Sequence, residues 1–383
     1  MITLPSFKES FAALVAAPTV SSIDPRHDQG NLPAVELLAN WFADLGFGIE
    51  TMPVGGRPDK VNLVACLGSG GGGLVLSGHT DTVPYNESAW HQDPFRLTEK
   101  DGRYYGLGAS DMKCFFPIVM QVLQSLDLKK IKRPVILLAT CDEECTMAGA
   151  KALVDANRGL GRHALIGEPT GLQPVIMHKG VMIETITLRG RAGHASNPAL
   201  GNNAMEGMHE VMKSLLQWRG QLQESFSNSK FDVPVPTLNF GSIQGGDSPN
   251  RICAECELKI DLRLLPGMEI GDVRSSLRRT AEEAVAGRGL AVEFDKVFPG
   301  TPPMETDPHS EIVKVAEKLT GHGAGTVNFG TEGPFLNSLG MDTVVLGPGD
   351  IDQAHQANEY IEQNRIQPMH ELLEKMIAHF CMS

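Results

Sequence analysis

The chain has 383 residues, 42% of them hydrophobic and 21% charged, with a net charge of −13. That length implies two domains rather than one small core, and the acidic balance with no basic block excludes a nucleic-acid surface and suits an anionic membrane poorly. No apolar run approaches the ~18 residues of a membrane span, no secretory signal pattern opens the sequence, and Cys66, Cys114, Cys141 and Cys381 stand alone in largely apolar surroundings, so a reduced, cytoplasmic protein is expected.

A first helix is expected from near Pro5, since proline is tolerated in a first turn. A second, Pro33–Leu45, carries Leu37, Leu38, Trp41, Phe42 and Leu45 on one side. Asn62–Leu67 and Leu74–Ser77 read as strands. Gly68–Gly73 between them invites a phosphate-loop reading, but such a loop should open a helix; a flexible hairpin loop fits better. Residues 115–126 read as helix, Val135–Thr140 as a buried strand, Lys151–Ala156 as part of a helix and Ala164–Gly167 as a short strand. The alternation predicts an α/β sheet flanked by helices.

Near Gly180 the pattern changes. Val181–Arg189 alternates apolar and polar residues, as a half-buried antiparallel strand does. A helix over 202–223, strands at 238–243 and 252–262, a helix over 270–286 and a strand at 290–294 complete a ferredoxin-like α+β order. In that second strand Cys256, Leu258, Ile260 and Leu262 alternate, so Cys253 and Cys256 read as packing residues; a zinc site would need a second pair. After 294 the α/β character returns, with a helix near 309–319, a strand at Thr343–Leu346 and a helix at Glu362–Phe380. The expected domains are 1–179 with 295–383, and 180–294 inserted between them.

Candidate ligands follow the apolar runs. His79 and Asp81 leave the tip of Leu74–Gly78 one residue apart, so that Asp81 can hold the ring N–H not facing a metal. Asp111 precedes a helix, Glu143 and Glu144 follow Val135–Thr140, Glu168 follows Ala164–Gly167, and His355 follows the last strand. Any one alone is an ordinary loop residue. Together they lie near strand ends, outside which open α/β sheets place their ligand crevice, so these loops can converge. Asp111, Glu144 and Glu168 bring three negative charges, which two divalent ions and one hydroxide balance; this favours a dinuclear site with one bridging carboxylate. Mixed nitrogen and oxygen donors suit Zn²⁺, with Co²⁺ or Mn²⁺ as alternatives. Adjacent side chains point apart, so Glu144 can ligate while Glu143 serves as general base towards the bridging water and returns the proton to a leaving amine.

With these residues the chain resembles the dinuclear zinc amidohydrolases, the family of aminoacylase, carboxypeptidase G and the desuccinylases. The resemblance covers nearly the whole chain. It implies that His79 and Glu168 bind one metal, that Glu144 and His355 bind the other, that Asp111 bridges, and that Glu143 is the general acid/base. It also implies a homodimer through the inserted domain. Gly193-His194-Ala195-Ser196 matches the family motif whose histidine helps hold substrate or oxyanion, and Asn250 with Arg263 resembles the pair that binds the substrate carboxylate. Gly330–Phe335 and Gln353–Tyr360 are similar to the branch that deacetylates N2-acetyl-L-ornithine in arginine biosynthesis. Desuccinylation of succinyl-diaminopimelate, hydrolysis of another N-acyl amino acid, or dipeptidase activity uses the same chemistry and stays open. A silent binding relative would be expected to lose a ligand or the base, and all are present. Cys114 departs from the glycine usual after Asp-x-Lys, and is expected to alter packing below Asp111.

Overall fold

The computed structural model describes residues 4–383. Helix α1 (Phe7–Ala16) begins with a capping box: Ser6 Oγ accepts the Glu9 N–H at 3.4 Å, and the Glu9 carboxylate accepts the Ser6 N–H at 2.8 Å. Helix α2 (Leu32–Asp44) has proline in its first turn and buries Ala34, Val35, Leu38 and Phe42; Leu37, Trp41 and Leu45 of the expected face are half-buried. Strands β1 (Gly48–Val54) and β2 (Arg57–Leu67) form a hairpin closed by Gly55 and Gly56, both at positive φ. Then come β3 (Leu74–His79), α3 (Phe115–Ser125), β4 (Val135–Thr140), α4 (Ala148–Asp155), β5 (His163–Ile166) and β6 (Val175–His178).

The chain divides into two compact units, one of residues 1–176, 306–325 and 331–383, the other of 177–305 and 326–330. The second contains β7 (Gly180–Arg189), α5 (Ala204–Ser225), β8 (Thr237–Gly245), β9 (Glu255–Leu264), α6 (Ile270–Ala284) and β10 (Ala291–Lys296). Its antiparallel sheet runs β8-β9-β7-β10, the ferredoxin-like arrangement. Helix α5 buries Ala204, Met208, Val211, Leu215 and Trp218 at helical spacing, and α6 buries Val273, Leu277 and Ala281. On β9 the alternating Cys256, Leu258, Ile260 and Leu262 are all buried, and all seven cysteines of the chain are free.

The first unit resumes with α7 (Glu311–Thr320), α8 (Gly333–Ser338), β11 (Asp342–Val345) and α9 (Ile366–Ile377). Its sheet order is β1-β2-β4-β3-β5-β11-β6, with β4, β3, β5 and β11 parallel at the centre. Every residue of β3, β4 and β5 is buried, as parallel strands covered on both faces require. Strand β4 lies between β2 and β3, so the Gly68–Gly73 segment is a connection across a neighbour and not the expected hairpin loop. Because the central strands run parallel, they present their carboxyl ends together at one edge of the sheet.

Candidate metal centre

Three central strands end in candidate ligands. His79 is the last residue of β3, Glu143 and Glu144 follow β4 after a short turn, and Glu168 follows β5 through Gly167. A Cβ on Gly167 would come within 2.3 Å of the Phe115 ring, so this close strand-to-helix approach requires glycine. His355 comes from the loop after β11, and Asp111 from the irregular turn 109–113 before α3. Cys114 is buried beneath that turn with Phe11, Val15, Ala109 and Ile361.

These side chains converge. His79 Nε2 lies 3.2 Å from Asp111 Oδ1 and 3.6 Å from Glu168 Oε1. His355 Nε2 lies 2.9 Å from Glu144 Oε2 and 3.6 Å from Asp111 Oδ2. Asp111 thus turns one oxygen to each histidine. Two overlapping groups, His79–Glu143–Glu168 and His79–Asp111–Glu144, each bring ligand atoms within 4.8 Å of one another, so either can surround an ion.

Asp81 does less to the ring than expected and more elsewhere. The His79 Nδ1–H donates to the Asp81 backbone carbonyl at 3.0 Å, while the nearer carboxylate oxygen stands 3.7 Å away. The carboxylate instead accepts the backbone N–H of Glu143 at 3.3 Å and of Glu144 at 3.1 Å. It fixes the turn that carries both glutamates.

The electrostatics call for cations. Burial and the Glu168 charge push the Glu143 carboxyl well above its ordinary range; burial and the Asp111 charge do the same to Glu168. Burial disfavours charge on His79, but its hydrogen bond to Asp111 and the neighbouring carboxylates outweigh that and raise its pKa well above normal. His355 is raised to about 9, chiefly by the Glu144 hydrogen bond. Burial also lifts Asp81 to about 6, Glu332 to about 7 and Glu359 to about 8. Lys113, buried close by, donates to the Ala17 carbonyl at 2.9 Å, and burial lowers its pKa to about 7. Buried carboxylates in this excess hold protons only where no metal ion neutralises them, so the donor set fits divalent cations.

Glu332 and Glu359 had no assigned role in the sequence. Glu332 accepts the Thr140 hydroxyl at 2.9 Å. Glu359 accepts backbone N–H groups of the Asp111 turn. Both partners lie far away in sequence, and the only signal was their place in the two segments resembling the deacetylase branch.

The remaining candidates belong to the second unit. His194 Nδ1 accepts the Ser196 hydroxyl at 2.7 Å, and its backbone bridges Arg251. The Ala195 N–H donates to the Asn250 carbonyl at 3.1 Å, so His194 and Asn250 are neighbours. Arg263, near the end of β9, grips Asp261 through two hydrogen bonds of 2.9 and 3.1 Å. Asn250 precedes the start of β9, and the strand from Glu255 to Arg263 spans roughly 26 Å at its extended rise. Within one chain, therefore, Asn250 does not stand beside Arg263.

Comparison with known proteins agrees with this architecture. Over 381 residues, covering the whole of both chains, the sequence is 45% identical to the acetylornithine deacetylase of Pasteurella multocida (strain Pm70). The fold is similar to that of an M20 metallo-carboxypeptidase from Sulfolobus solfataricus, at 18% identity and a TM-score of 0.77 over 98% of this chain and 99% of that one. It is also similar to a dinuclear metal-binding M20 peptidase from Bacillus subtilis, at 16% identity and a TM-score of 0.67 over 97% of each. Residues 75–379 match the profile of peptidase family M20/M25/M40, and with the full-length likeness this places the chain in that family.

Proposed function

We propose that this chain is a cytoplasmic enzyme that hydrolyses N2-acetyl-L-ornithine to L-ornithine and acetate, a step of arginine biosynthesis. The chemistry rests on one observation: the Asp111 carboxylate turns one oxygen to His79 and the other to His355. The substrate rests on the full-length likeness to a named deacetylase.

His79 and Glu168 would hold one divalent ion and Glu144 and His355 the other, with Asp111 placed to serve both. Zn²⁺ suits these nitrogen and oxygen donors, and Co²⁺ is the natural substitute. When bound, the ions would supply Lewis acidity to the acyl carbonyl and to the attacking water. Glu143 takes a proton from that water as its oxygen bonds to the acyl carbon, then delivers it to the amide nitrogen as the C–N bond breaks. Asp81 orients His79 through its carbonyl and the two glutamates through its carboxylate.

The second unit supplies recognition. Arg263 offers a guanidinium to the substrate α-carboxylate, and Asn250, which neighbours His194, adds a polar contact from the other subunit. His194 stabilises the oxyanion from the other subunit of a homodimer formed through this unit. The test is kcat/KM for acetylornithine against succinyl-diaminopimelate, acetylmethionine and a dipeptide. Preference for the succinylated compound by tenfold, about 1.4 kcal/mol of transition-state discrimination, would overturn the substrate while leaving the metal chemistry intact.

A further inference from the structure

One buried carboxylate outside the ligand set ties two metal-binding segments together. Glu359 is 2% exposed and lies four residues beyond His355. Its Oε2 accepts the Gly108 N–H at 2.8 Å; its Oε1 accepts the Ser110 N–H at 2.7 Å and the Asp111 N–H at 2.9 Å. Its backbone carbonyl accepts the Gly106 N–H at 3.1 Å. The turn it grips cannot hold itself through a regular helical ladder. Asp111 has φ −123° and ψ 91°, and Gly108 enters the turn at φ +76°. A Cβ on Gly108 would meet Thr82 at 2.8 Å, so the backbone there has little room to relax.

We propose that Glu359 is the positioning residue that holds the Asp111 carboxylate between the two ligand pairs, and thereby sets the affinity for the second metal ion. The inference rests on the dinuclear reading of the site. Its physical basis is acceptor capacity. A carboxylate has lone pairs for all three N–H groups, whereas a side-chain amide has one acceptor oxygen and turns its own donors towards at least one of them. The Asp111 N–H is itself held, so the residue that must face His79 and His355 at once is fixed at its own backbone. Anchoring the same clamp in the His355 segment makes the two segments move as one. Ser110 adds a second link: its hydroxyl donates to the Asp350 carbonyl at 3.1 Å and accepts the Asp350 N–H at 2.9 Å. The Glu359 carboxylate bonds to backbone N–H groups, so it acts through the turn.

The test is Glu359→Gln, which preserves volume. Wild-type and variant proteins are stripped of metal and titrated with Zn²⁺ in a chelator buffer. Both are also loaded with Co²⁺ and examined by electron paramagnetic resonance for coupling between the two ions. The first ion should bind the variant within about threefold of wild type and the second at least about tenfold more weakly, the low end for a residue supporting a ligand. The coupling signal should be lost, and kcat should fall while KM stays within about twofold. A merely structural role would lower the denaturation midpoint without separating the two affinities. If the glutamine variant does not fold, Glu359→Asp, too short to reach all three N–H groups, is read in the same titration. A folded variant that binds two coupled ions as wild type does would overturn the role of Glu359 alone. A wild-type protein that binds only one ion would overturn the dinuclear reading, and this proposal with it.

Discussion

Asp111 Oδ1 faces His79 Nε2 at 3.2 Å while its other oxygen looks away, towards His355. One side chain therefore serves both ligand pairs. Asp111→Ala should lower the occupancy of both sites, not of one. Metal analysis after exhaustive dialysis checks this; a variant retaining a full complement would exclude Asp111 as the bridge.

Glu143 and Glu144 are adjacent but differently engaged. Glu144 meets His355 at 2.9 Å, whereas Glu143 lies beside His79 and Glu168. Glu143→Gln should keep its metal and lose more than about a hundredfold in kcat, because an amide cannot accept the proton of water. Glu144→Gln should lose metal as well. Equal metal content in the two variants would contradict the division of roles.

Metal binding should release protons. Without metal, His355 is raised to about 9, first by the Glu144 hydrogen bond, with burial opposing. Ligation needs the neutral ring, so below pH 9 the ion must displace a proton. Affinity in a metal buffer should rise from pH 7 to pH 9 and then flatten as far as His355 is concerned. Zn²⁺ added to the stripped protein at pH 7 in weak buffer should acidify the solution. A pH-independent affinity would argue against His355 as a ligand.

The turn after β4 is braced from β2. Buried Lys60 contacts Asp142 at 2.5 Å and Asp28 at 2.8 Å, and the Ser21 hydroxyl donates to Asp142 at 2.8 Å. Lys60→Met leaves Asp142 buried without its cation, while Asp28 keeps Arg57 at 2.5 Å, and should cost about 3 kcal/mol, the scale of breaking a buried pair. Urea denaturation of the metal-loaded protein reads the loss. An unchanged midpoint would mean that water already reaches these groups.

His194 tests the assembly. Mixing inactive His194→Ala with inactive Glu143→Gln should restore part of the activity if each site borrows the histidine of the other subunit. Verified heterodimers without activity would place its action within one chain.

How much of this could be read from the sequence depended on how local each interaction was. Val135–Thr140 was placed to the residue because a strand buried on both faces is an unbroken apolar run. Strand β1 was missed because it is largely exposed, although Gly55-Gly56 carried a hairpin signal. Gly68–Gly73 was misread because the order of strands in a sheet is not the order in the chain. The ligand types were legible from their place after strands. The behaviour of Asp81 was only half legible: its carbonyl rather than its carboxylate meets the ring. Beyond its place in Gln353–Tyr360, nothing in the sequence marks Glu359, because its partners are backbone groups about 250 residues away.

The position of β11 has a consequence for synthesis. This strand lies between β5 and β6, yet Asp342–Val345 leaves the ribosome after the whole of 177–305 has been made. Until then the nascent chain carries β5 with one bare edge, a row of unpaired backbone groups open to wrong partners. His355 emerges later still. During elongation the acidic cluster therefore stays incomplete, short of one imidazole, until after the sequence that separates its halves has been made.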